Sequence, residues 1–265
     1  MERKKKASEW MKKWVVGMTI VVMLTTGVGV TANAQSLDSM YFVGGFTKII
    51  QEKLARTSDS IFVVNVTLSD EDDPESAYYS IGTSILISED ELITNYHVIQ
   101  DYAEMKATDE ATLRVASPAN LSEWIEADVV FTDKKRDTAI LKLHQKVKYQ
   151  PITFEQARDN QSVITIGYPA NPTGQLILLD QLDDTQILWN TVTKTRIYKS
   201  HERLFGKNYI GSVPIELAHG NSGGPVLDQN MNVVGMMTFV YDGRTYFLTA
   251  DTLEIFIERY RQANK

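Results

Sequence analysis

The sequence predicts an all-β protein that ends in one helix, and three observations carry that expectation. Short runs rich in β-branched and aromatic residues recur along the chain with turn residues between them. These runs form two series, one before and one after residue 150. The last stretch, Asp251–Arg261, then changes to helical spacing, with Leu253, Ile255, Phe256, Ile257 and Tyr260 on it. Runs at this spacing suit closed antiparallel barrels, although strand repetition alone also admits a sandwich.

Taken in order, Ser36–Gly45 reads as a flexible lead. Thr47–Ala55 carries Ile49, Ile50 and Leu54 at the spacing of a short amphipathic helix. The first series of strands is Ile61–Val66, Tyr78–Ser88, Glu91–Asn95, Thr112–Ala116, Trp124–Thr132 and Thr138–Leu143. The second is Ser162–Gly167, Gln175–Leu179, Gln186–Tyr198, Tyr209–Ile215, Val226–Asp228, Val233–Val240 and Arg244–Leu248. Asp251 is the expected N-cap of the closing helix. Ser69–Ser76 is acidic but lacks the glycine and alternating ligands of a calcium loop, so it reads as a solvated hairpin tip. No His, Asp and Glu positions have metal-ligand spacing, and no metal or other cofactor is expected.

Composition narrows the setting. A chain of 265 residues, 43% hydrophobic and 23% charged, is an ordinary globular sequence with room for one large domain or two small ones. Its start is different. Arg3, Lys4, Lys5, Lys6, Lys12 and Lys13 precede the apolar run Trp14–Val30, and Ala32-Asn33-Ala34 follows. A basic start, an apolar middle and an A-x-A end are the parts of a secretory signal peptide over residues 1–34, cleaved before Gln35. The alternative is an uncleaved anchor, which this run is barely long enough to form and which its glycines and threonines dilute. Membrane contact is expected only through this segment.

Removing residues 1–34 takes six basic and two acidic side chains, so the net charge falls from −7 to −11. An acidic surface repels phosphates and argues against nucleic acid as a partner. The chain has no cysteine. It must therefore be held by its core rather than by disulfides, which points to a bacterial secreted protein more than to an animal one.

Three motifs carry chemistry. They are Thr94-Asn95-Tyr96-His97-Val98, Asp137-Thr138-Ala139-Ile140-Leu141 and Gly220-Asn221-Ser222-Gly223-Gly224-Pro225. A serine hydroxyl needs a neighbouring base to become a nucleophile, an imidazole is such a base, and a carboxylate fixes its tautomer. His97, Asp137 and Ser222 supply these three groups. Taken singly, each motif could be a turn, a surface histidine or a strand edge. Residues 220–224 also fit the G-x-S-x-G elbow of α/β-hydrolases, but that fold needs a histidine after the serine. None of the four histidines follows Ser222. The order His, Asp, Ser is the one used by chymotrypsin-like enzymes.

From about Ser60 to its end, the chain resembles bacterial chymotrypsin-fold serine proteases, the HtrA-type proteases and the staphylococcal glutamyl endopeptidases. The residues concerned are Gly82-Thr83-Ser84-Ile85-Leu86-Ile87, Leu92–Ile99, Val163–Pro169 and the Ser222 motif. Residues 101–122 and 172–212 lie outside the likeness. The resemblance implies two antiparallel six-stranded barrels, one over residues 60–150 with His97 and Asp137, the other over 151–265 with Ser222 and the helix. The site would lie in the cleft between them. It also implies an oxyanion hole from the amides of Gly220 and Ser222. Asn221, uncharged, could not make the activation ion pair of animal members. Too little chain follows the closing helix for a PDZ module.

For specificity, Glu216 stands six residues before Ser222, where trypsin-type enzymes place an acid, with Thr238 and Phe239 as further pocket candidates. Met237 stands where glutamyl endopeptidases would need a histidine. Basic and small or apolar preferences therefore stay open, with an acidic one disfavoured. The expected function is a secreted serine endopeptidase that cuts protein or peptide substrates through an acyl-enzyme. Two alternatives remain: an extracytoplasmic quality-control protease, and a catalytically inert protease-fold binding module or toxin.

Overall fold

The chain enters its first barrel through a short strand β1 (Tyr41–Val43) and a helix α1 (Lys48–Ser58) whose N-cap is Thr47. The computed structural model describes residues 41–43, 46–68, 78–105, 111–117, 120–169, 191–204 and 207–265. The N-terminal 34 residues, the acidic turn Ser69–Ser76 and the expected strand Gln175–Leu179 lie outside the described residues.

The first series folds as β2 (Ile61–Leu68), β3 (Tyr78–Ser88), β4 (Glu91–Thr94), a helix α2 (Tyr96–Met105), β5 (Ala111–Ser117), β6 (Asn120–Asp133) and β7 (Thr138–Leu143). Pairing in the order β2-β3-β4-β7-β6-β5 closes a six-stranded barrel, because β5 returns to β2 with Val63 opposite Ala116. The near-continuous apolar run Ile61–Val66 has a physical cause: β2 is covered on both faces. Phe62, Val64 and Val66 pack with Leu86, Leu92, Val115 and Leu141 in one core cluster. Ile61 and Val63 pack with Ile85, Ile93 and Ile140 in another, which also takes Ile164, Ile166 and Phe256 from later in the chain. That second cluster joins the two halves.

The second series is β8 (Ser162–Gly167), β9 (Thr191–Arg196), β10 (Lys199–Leu204), β11 (Lys207–Val213), β12 (Pro225–Leu227), β13 (Val233–Tyr241) and β14 (Arg244–Thr249). These join β1 in one eight-stranded sheet, ordered β1-β9-β8-β12-β13-β14-β11-β10. The expectation of two closed six-stranded barrels is therefore met by the first. Among the described residues the second sheet has eight strands, with β1 and β10 at its edges. β1 pairs parallel to β9, Tyr41 opposite Thr191. Val163, Val213, Val226, Val234, Met237 and Phe247 form the core on one side of this sheet. The expected strand Gln186–Tyr198 is described only as β9, and the charged Lys199–Leu204 turns back as a separate strand against β11.

The closing helix α3 runs Ala250–Ala263 with Thr249 at its N-cap position, so Asp251 lies in its first turn rather than capping it. Although it follows the second series, α3 clasps the first barrel. The Phe131 ring lies 5.2 Å from Phe256 and 5.7 Å from Tyr260, and the Tyr260 hydroxyl donates to Glu91 at 2.8 Å. Asp133 at the end of β6 accepts from the Arg136 amide, from Arg136 Nη1 at 2.8 Å and from Arg259 Nη1 of α3 at 2.9 Å.

Burial alone would push the Asp133 carboxyl up, but the bonds from Arg136 and Arg259 outweigh it and hold it below the usual carboxylate range. A depressed folded value means stability that is complete above the unfolded value, about 3.9, and lost as pH falls through the folded one. Asp133→Ala is expected to cost about 2 kcal/mol in urea unfolding at pH 7. The gap from wild type should narrow as pH drops below about 4. A gap that is absent, or unchanged in acid, would contradict this account.

Candidate active site

β4 ends at Thr94, and the chain passes through Asn95 directly into α2, so His97 sits in the first turn of a helix. The leading N–H groups of a helix have no partner within it. Here the His97 amide donates to Asp137 Oδ1 at 2.9 Å, a carboxylate arriving from the β6–β7 turn. A negative group at a helix N-terminus is favoured by the aligned peptide dipoles. The other oxygen, Oδ2, lies 2.8 Å from His97 Nδ1. One carboxylate thus caps the helix and holds the imidazole.

Asp137 reaches this position in a left-handed conformation, φ 59°, that most residues avoid. Asn95 accounts for part of its hold: the side chain is buried, and its Nδ2 donates to the Asp137 carbonyl at 3.0 Å. A third bond to the carboxylate comes from the other half of the protein, where Thr238 Oγ1 of β13 donates to Oδ2 at 2.6 Å. Burial pushes the Asp137 carboxyl up, and the His97 ring, Thr238 hydroxyl and His97 amide together bring it below the usual range. It is therefore ionised at neutral pH and can only accept. His97 Nδ1 must then carry a proton toward it, and the tautomer this bond selects has Nε2 as its acceptor nitrogen.

Ser222 lies in the loop between β11 and β12. Its hydroxyl donates to the Thr238 carbonyl at 3.3 Å, so Thr238 touches both Ser222 and Asp137. The loop is fixed by its own backbone: Gly224 N–H donates to the Asn221 carbonyl at 2.9 Å and Gly223 N–H to the Met237 carbonyl at 2.9 Å. Gly220 and Gly223 hold φ of 92° and 85°, which glycine adopts at no steric cost. Asn221 is buried and its amide donates to the Ala218 carbonyl at 2.9 Å, a local bond needing no charge. Among the described residues, the backbone amides of Gly220 and Ser222 have no protein acceptor.

The specificity candidates fare differently. Glu216 is exposed, while Ile215 and Leu217 on either side pack onto the Met237 and Phe247 cluster. Thr238 is buried, and its hydroxyl is engaged by Asp137 rather than turned to a pocket. Phe239 stacks on Tyr246, with centroids 5.0 Å apart and planes at 12°. The sequence reading missed Asn95 and Thr238 as partners of Asp137. Asn95 had one visible signal, a helix-poor amide two residues before the candidate histidine.

The family model of the trypsin-like peptidase domain matches residues 82–236, a span that holds His97, Asp137 and Ser222. The chain belongs to this family of serine peptidases. Relatives fit the assignment. The chain is 30% identical over 170 residues to a Bartonella henselae protein named "Probable periplasmic serine endoprotease DegP-like", covering 61% of this chain and 28% of that one. A Rickettsia conorii protein of the same name is 25% identical over 82% of this chain and 40% of its own length. Serine protease HTRA1 of Xenopus laevis is 28% identical over 66% and 35%. The peptidase thus spans well under half the length of these relatives. Among solved structures, the active form of the Rv3671c protease from M. tuberculosis has the same fold, with a TM-score of 0.59 at 22% identity over 90% of this chain and 94% of that one.

A Cβ added at Gly223 would stand 1.9 Å from the Thr83 carbonyl oxygen and 2.4 Å from Thr94 Oγ1. Neither can move freely, since the Thr94 hydroxyl donates to that same carbonyl at 2.7 Å. With the positive φ added, Gly223→Ala should lower stability by about 3 kcal/mol or more. A urea midpoint equal to that of wild type would contradict the placement of this loop.

Proposed function

We propose that the protein is an extracytoplasmic serine endopeptidase in which Ser222, His97 and Asp137 form the catalytic triad. The observation that carries this reading is the double hold of Asp137 on His97, through ring and amide, with Thr238 bridging to Ser222. The Ser222 hydroxyl turns from the Thr238 carbonyl toward His97 Nε2 and attacks the scissile carbonyl carbon as Nε2 takes its proton. The carbonyl oxygen, now negative, is received by the amides of Gly220 and Ser222. The C–N bond breaks, His97 passes its proton to the leaving amine, and water hydrolyses the acyl-enzyme by the same steps in reverse roles.

The second sheet is read as the counterpart of the second barrel in this fold. A location outside the cytoplasm is supported by the signal-like residues 1–34 and by relatives named as periplasmic. Substrates are proteins or peptides. A small or apolar residue before the cut is favoured over Lys or Arg, because Glu216 is exposed while Ile215 and Leu217 turn inward.

Kinetics on a peptide library test this. Ser222→Ala should lower kcat by at least about a thousandfold with Tm unchanged. His97→Ala should be about as damaging alone as in combination, since triad members act as a unit. Ser222→Ala activity within tenfold of wild type would overturn the nucleophile assignment. Cleavage mainly after Lys or Arg, abolished by Glu216→Gln, would overturn the specificity.

A further inference from the structure

Thr83 lies on β3 of the first barrel, fully buried, yet its polar groups are spent on the nucleophile loop of the other half. Its amide donates to the Ser222 carbonyl at 2.8 Å, and its hydroxyl donates to the Gly220 carbonyl at 2.7 Å. The same hydroxyl accepts the Tyr168 N–H at 3.1 Å, a second bond to the other half, just past the end of β8. Its own carbonyl takes the Thr94 hydroxyl at 2.7 Å, beside the strand that leads to His97.

We propose that Thr83 is a positioning residue for the oxyanion-binding Ser222 amide, an inference that rests on the triad reading above. A peptide unit is planar, and its C=O and N–H point in opposite directions. Holding the Gly220 and Ser222 carbonyls fixes the peptide units on both sides of the Asn221–Ser222 unit. The Asn221 carbonyl is itself held by the Gly224 amide. The Ser222 N–H is then left facing the opposite way, with each of the three carbonyls around it held by a hydrogen bond. Gly220, with φ 92°, has no steric preference of its own to hold this shape, so beside the loop's own backbone bonds its carbonyl takes the orientation that its donor sets. Thr83 imposes it, and does so from the lobe that carries His97 and Asp137.

The test compares Thr83→Val, which keeps shape and loses the hydroxyl, with Thr83→Ser, which keeps the hydroxyl. A full oxyanion donor is worth about 100- to 1,000-fold in rate, and here the Ser222 donor is misdirected rather than removed. Thr83→Val should therefore lower kcat by about 10- to 100-fold, with KM within twofold. The acid limb of the pH profile should stay in place, because His97 and Asp137 are untouched. Thr83→Ser should recover kcat to within a few-fold.

Labelling by a fluorophosphonate probe is read in parallel. Wild type that is not labelled at Ser222 would sink the triad reading itself. Labelled wild type with a Thr83→Val kcat within twofold would sink only the role of Thr83. So would a Thr83→Ser variant as impaired as Thr83→Val, or a fall in rate that merely tracks lost folded protein in both variants. Should Thr83→Val fail to fold, the Thr83→Ser comparison with Thr83→Ala decides by the same readings.

Discussion

Asp137 is a nearly buried anion, and a buried anion persists only if its lost hydration is replaced. Three donors replace it: the His97 amide, the His97 ring and the Thr238 hydroxyl. Each comes with an element attached. The first two fix the N-terminus of α2 and the plane of the imidazole, and the third brings β13 of the second sheet to the first barrel. The carboxylate thus organises the site by needing to be solvated, and the same need explains why its own backbone is held strained, with Asn95 on its carbonyl.

The second junction is made of neutral groups. Thr83 of the barrel meets the Gly220–Gly224 loop through backbone and hydroxyl bonds, and Thr94, bonded to the Thr83 carbonyl, stands so close that residue 223 has no room for a side chain. Around both junctions lies the apolar cluster shared by β2, β3, β8, β9 and α3. It supplies the driving force for the two halves to associate, while the polar contacts set the alignment. Burial of apolar surface is not directional, and hydrogen bonds are. A site that needs alignment within a fraction of an ångström relies on the second kind.

Much of this was legible in the sequence because it is local. Strands such as Ile61–Val66 and Thr138–Leu143 declare themselves by composition, and the closing helix by its period. The three chemical motifs were legible because their order excluded another serine-hydrolase fold. What could not be read is what depends on distant partners. The helix α2 begins without a local cap because its cap, Asp137, lies 40 residues on. Strand β10, Lys-Ser-His-Glu-Arg-Leu, has no strand signature and exists through its pairing with β11. Thr238 was one of the pocket candidates, but whether a side chain on a strand faces a pocket or the Asp137 carboxylate is decided by register. Asp251 is a residue type suited to a cap, whereas the helix begins at Ala250 and its cap position is Thr249, two residues sooner.

A structure of the protein after reaction with a peptidyl phosphonate tests directly whether Ser222, His97 and Asp137 act together. The account predicts a covalent bond to Ser222 Oγ, with the hydroxyl's contact to the Thr238 carbonyl broken. It predicts the phosphonate oxygen within hydrogen-bond distance of the Gly220 and Ser222 amides, and the Asp137 contacts to His97 and Thr238 retained. An adduct on another residue, or on Ser222 with its oxygen facing away from both amides, would contradict it.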